Sequence, residues 1–154
     1  MSIDVTRMDI LKMLLYAPDS SGTLNSPIKG KTRLQKEVFL AQKALEDMGI
    51  KRKYGFMPYF LGPFSRQLYF DMKWLEKKEL VKESTYFMDE KGVYREFRLT
   101  DKGTREVECL IRNQEIKKIY DIVSQIKRKY SNMQLRDLVE FTHQEFPGYM
   151  HSRR

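Results

Sequence analysis

His143, His151 and Cys109 are the side chains best suited to holding a transition metal, and their placement does not form a site. A closed zinc centre draws four ligands, usually as CxxC or HxxxH pairs, and none of the three has such a neighbour. Asp9, Asp71, Glu76 and Asp89 are dispersed acids. No glycine-rich phosphate loop and no nucleophile beside a base stands out. The expectation is therefore a protein that is not an enzyme and uses no metal or cofactor.

The cations are more informative. Lys29, Lys31, Arg33 and Lys36 fall within eight residues with no acid between them, at the approach to a helix, where side chains and free backbone N–H groups can hold phosphate. A second set, Ser65, Arg66, Tyr69, Lys73 and Lys77, lies along one flank of a later helix. Lys91 and Arg95 belong to the hairpin that follows. If these groups share a surface, Arg66 or Tyr69 would reach base edges and the rest would hold phosphates, which makes double-stranded DNA the first expected partner. An ordinary solvated helix face would carry the same residues. Phe70 and Trp74 on that flank fit a protein interface better than a groove. The hairpin balances Lys82, Lys91, Arg95 and Arg98 against Glu83, Asp89, Glu90 and Glu96, and its acidic tip would repel phosphate.

These residues need elements to position them. Val5, Met8, Leu11 and Leu15 recur at helical spacing over residues 4–16, and Pro18 stops the run. A second helix is expected over 32–48, with Leu34, Val38, Ala41 and Leu45 on one side and Gly49 at its end. An aromatic connection, YGFMPYFLGPF, leads to a third helix over 63–78 that starts at Pro63 and buries Phe64, Leu68, Met72 and Leu75. Tyr54, Phe56, Tyr59, Phe60 and Phe64 in that connection are read as packing rather than as a base-stacking platform.

Strands over 82–87 and 93–99 make a hairpin. One long helix is expected over 101–130 and a last one over 133–145. Ile116, Ile119, Val123, Ile126 and Tyr130 step by 3, 4, 3 and 4, the seam of a helix lying along another helix. That seam could fold back on the chain or join two copies, and a homodimer is the expectation.

Helix, helix, turn, helix, hairpin is the order of a winged helix-turn-helix. The expected fold is mainly α: a winged helix-turn-helix domain with a two-stranded wing over residues 1–103, and a C-terminal helical arm over 104–154. A chain of 154 residues with 29 Lys and Arg against 21 acids carries a net +8, which favours a polyanionic partner. The single cysteine, the lack of a leader pattern and the lack of a long apolar run point to a soluble cytoplasmic protein with no membrane segment.

KTRLQKEVFLAQK (residues 31–43), FMPYFLGPFSRQLYFD (56–71), residues 75–81, FRLTDKG (97–103) and LRDLVEFTHQEFPGY (135–149) together resemble the small prokaryotic YwgA-like winged-helix proteins. More distantly they resemble the Panacea antitoxin domain. The first resemblance implies a winged-helix fold and a DNA-binding role in transcription regulation. The second implies an antitoxin or adaptor that works through protein contacts, for which Phe70 and Trp74 are the partner-binding candidates.

Overall fold

The computed structural model describes residues 5–87 and 92–150. Within them the chain is mainly α, with six α-helices and a small antiparallel sheet. Helix α1 (Arg7–Tyr16) opens on a capping box: the Thr6 hydroxyl accepts from the Asp9 amide, and the Asp9 carboxylate accepts from the Thr6 amide. The next loop contains strand β1 (Ile28–Lys29), too short for alternation to reveal.

Helix α2 (Lys31–Asp47) is the hub of the molecule. Every residue from 33 to 42 is buried, so it is covered on all sides rather than along one stripe. The aromatic connection then forms a small hairpin, β2 (Met57–Tyr59) paired with β3 (Gly62–Phe64). Pro63 therefore lies in a strand, not at the first position of a helix. Helix α3 (Arg66–Lys77) begins three residues later, with Ser65 as its N-cap. Ser65 is tied reciprocally to α2: the Gln35 side-chain amide donates to its carbonyl at 3.0 Å, and its amide donates to Gln35 Oε1 at 2.8 Å.

Strands β4 (Val81–Phe87) and β5 (Val93–Leu99) pair in register from Val81↔Leu99 to Phe87↔Val93, and β1 joins the other edge of β5, giving the order β1-β5-β4. The long helix expected over 101–130 is two helices, α4 (Asp101–Leu110) and α5 (Gln114–Tyr130). The Asn113 side chain accepts from the amides of Glu115 and Ile116 and starts the second. Helix α6 (Leu135–Glu145) and a short 3-10 turn (Pro147–Tyr149) complete the described chain.

The main core joins Leu11, Leu14 and Leu15 of α1, Val38 and Leu45 of α2, Leu68 and Leu75 of α3, Phe97 and Leu99 of β5, and Ile119 and Val123 of α5. It crosses the boundary expected near residue 103. A second cluster gathers Phe39, Leu40, Tyr130 and Leu138 between α2, α5 and α6. The seam expected to pair two copies is thus occupied within one chain: Ile119, Val123 and Tyr130 are buried, and Ile116 and Ile126 pack partly buried against the core. Two helices of the same chain, α1 and α2, supply the surface on which α5 lies.

Candidate functional site

The polar groups that fix α3 sit on its inner side. Asp71 is buried and accepts from Arg7 Nε at 2.7 Å and from the Tyr54 hydroxyl at 2.8 Å, joining α3 to α1 and to the connection before it. With Ser65 held by Gln35 at one end and Asp71 held mid-helix, the outer side of α3 is presented in a fixed orientation. That side carries Arg66, Tyr69, Phe70, Lys73, Trp74 and Lys77, all exposed, at the i, i+3, i+4, i+7 spacing of one stripe. Phe70 is 59% and Trp74 46% exposed, large values for rings of that size on a single helix. The Tyr69 and Phe70 rings meet edge to face with centroids 5.5 Å apart, and the ammonium groups of Lys31 and Lys73 stand 5.5 and 5.8 Å from the Tyr69 ring centroid.

Two of the cations expected on α2, Arg33 and Lys36, do not join this surface. Arg33 is buried and donates to the carbonyl oxygens of Tyr130 at 3.0 Å and Met133 at 2.6 Å. It adds a charged donor to the Tyr130 carbonyl, which also accepts from the Met133 amide, and holds the carbonyl of Met133 just beyond α5, where a cation complements the helix dipole. A phosphate contact by Arg33 is thereby corrected to an internal cap. Lys36 is 2% exposed, and its ammonium donates to the Pro63 carbonyl at 3.4 Å. Burial pushes its pKa down to about 8, so it too is withdrawn from any outer phosphate track. Ser65 is fully buried, with its hydroxyl accepting from the Leu68 amide, and it caps α3 rather than meeting a ligand.

Of the remaining candidates, Lys73 and Arg95 share one carboxylate, Glu83, at 3.8 and 2.8 Å. Lys31 stays exposed at the start of α2, and Lys91 lies outside the described residues. The candidates that remain on one surface are Arg66, Tyr69, Phe70, Lys73, Trp74 and Lys77, with Lys31 alongside.

Two buried charges escaped the sequence reading. Lys127 on α5 is fully buried and donates to the carbonyls of Leu15 and Ser26, both at 2.7 Å. Burial pushes it down to about 8. Glu37 on α2 is fully buried, with one oxygen accepting from the Ser131 hydroxyl at 2.9 Å, and burial pushes its carboxyl up to about 7. Their signal was present in the sequence: Glu37 is i+4 from Arg33 and shares a stripe with Leu40 and Ala41, and Lys127 stands four residues after Val123 and three before Tyr130.

Among the described residues no three His, Cys, Asp or Glu side chains gather closely enough to hold a metal ion, and no helix is long and apolar enough to cross a membrane. No protein-family model matches the chain, and no curated protein matches it in sequence.

Proposed function

We propose that the chain is a protein-interaction module of winged-helix architecture whose α3 face receives an acidic, apolar segment of a partner protein. The observation that carries this reading is the pairing of Phe70 and Trp74, both open to solvent, with Arg66, Lys73 and Lys77 on the same stripe. Aromatic side chains and arginine are the groups that dominate protein interfaces. The surrounding lysines select an acidic partner by charge, in line with the net +8 of the chain. The element order, with β1 and the β4–β5 hairpin in one sheet beside α3, supports the winged-helix reading. The distant resemblance to the Panacea antitoxin domain is in keeping with it.

A DNA reader would need the cations of α2 and α3 on one footprint. Arg33 and Lys36 are spent inside the fold. The protein reading uses the residues that are left.

The test is a selection of displayed random peptides on the full chain and on the Phe70→Ala/Trp74→Ala variant, with a mobility shift of duplex DNA alongside. Selected peptides should be rich in Asp and Glu around Leu or Phe, and the double variant should weaken them by at least about 30-fold, the loss of a hot spot worth about 2 kcal/mol. Peptides indifferent to both rings would sink the proposal. So would tight duplex retention that depends on Arg66 and falls steeply with salt, or self-association removed by the same double variant.

A further inference from the structure

A pocket opens between the start of α2, the β2–β3 hairpin, α3 and β5. Its volume is about 160 Å³, close to the ~150 Å³ of an apolar cavity known to take up benzene. Leu34, Leu61, Phe64, Leu68, Met72 and Phe97 give it a mainly apolar wall, with charged side chains among the other lining residues. Apolar pockets with a small number of placed polar groups are the usual form of small-molecule sites.

The placed polar group is Lys36. Its ammonium lies at the hairpin end of the pocket, with one long hydrogen bond, 3.4 Å, to the Pro63 carbonyl. An ammonium has three N–H donors, so two are left without an acceptor among the described residues. Among the described residues no carboxylate pairs with it, and a cation that is 2% exposed and lacks a counter-charge is costly. Gly62 makes the arrangement possible. A Cβ there would stand 3.1 Å from Lys36 Cε and 3.3 Å from Nζ, so a side chain at this position would crowd the ammonium.

The charges around the pocket are mixed. Lys31, Lys73, Glu76 and Glu83 lie at its lining, and Glu83 is already engaged by Lys73 and Arg95. His143 of α6 approaches the Gly62 position to 3.6 Å through Cδ2. Its Nε2 is buried without a hydrogen-bond partner, and its pKa is lowered by burial and then by the Lys36 charge. Every feature that Lys36 lacks would be supplied by one anionic oxygen pair on an apolar body. A doubly charged phosphate would be opposed by Glu76 and Glu83 at the lining more strongly than a single carboxylate.

We propose that this pocket binds a small apolar monocarboxylate, its body against Leu68, Met72 and Phe97 and its carboxylate on the ammonium of Lys36. The pocket borders the docking face, sharing Tyr69 and Lys73 with it, but the proposal rests on Lys36, Leu68 and Met72 and not on Phe70 or Trp74.

The experiment titrates the full chain with benzoate, and separately with benzamide as its neutral counterpart, following methyl resonances of Leu34, Leu68 and Met72. Benzoate should give saturable shifts in the millimolar range or tighter, and benzamide should bind at least about tenfold more weakly. Lys36→Met, which keeps the stem and removes the charge, should lose the preference for benzoate while the spectrum stays dispersed. Equal binding of benzoate and benzamide to the unaltered chain would overturn the proposal whether or not the variant folds. Absence of saturable shifts would overturn it as well.

Discussion

Arg33 of α2 reaches the carbonyl oxygen of Tyr130 at 3.0 Å, so a cation placed in the sequence as if for a ligand closes the end of a helix 97 residues away. The same guanidinium takes the Met133 carbonyl. Arg33→Met should remove a charged donor from both carbonyls: that of Tyr130 keeps the Met133 amide at 3.2 Å, and that of Met133 loses the guanidinium. Hydrogen bonds to charged groups contribute about 1.5–3 kcal/mol each, and partial rehydration recovers some of that, so we expect a loss of about 2–3 kcal/mol in urea unfolding. Peptide binding at α3 should be unchanged. A variant as stable as the parent would show that α5 does not need this cap.

Glu37 gives the fold a dependence on pH. Its folded pKa, pushed up by burial to about 7, lies above the 4.5 usual for a glutamate, so between those values the folded chain holds a proton that the unfolded chain has released. Its contribution is therefore fully present below pH 4.5 and is lost as pH rises towards 7, with a slope of up to about 1.4 kcal/mol per pH unit from one group. Glu37→Gln should remove that slope, read as unfolding free energy against pH across this window. An identical pH profile in the variant would contradict the assignment.

Gly103, in the first turn of α4, lies against the backbone of Leu80. A Cβ at Gly103 would fall well inside contact distance of the Leu80 carbonyl oxygen, which also accepts from the Thr100 amide. Backbone cannot yield as a side-chain tip does. Gly103→Ala should therefore cost at least about 1–3 kcal/mol despite alanine's better helix propensity, measured as a lower unfolding midpoint.

The order of the main elements was legible where periodicity and punctuation agree, as in the stripe of α3 and the stop of α2 before Gly49, whereas the Thr6–Asp9 cap that starts α1 at Arg7, and not at residue 4, went unread. Breaks that rest on one residue were harder. Asn113 divides α4 from α5 by capping, with no proline or glycine to advertise it. Pro63 suits the start of a helix as well as a strand of a two-stranded ribbon, and only its pairing with Pro58 decides.

The candidate site was half legible. The outer stripe of α3 follows from spacing alone, because Leu68, Met72 and Leu75 define the opposite side. The cations of α2 did not, since a helix buried all round has no outer face to which a charge can be assigned. Whether a lysine there is solvated or enclosed depends on what α5, α6 and the hairpin bring to it from distant parts of the chain.

Because Ile119 and Val123 complete the same apolar cluster as Leu11, Leu14 and Val38, a recombinant fragment stopped after β5 would leave greasy surface where those side chains had been covered. Such a truncate is a precipitate in the making rather than a minimal reader head. Work on the α3 face therefore has to carry α5 along.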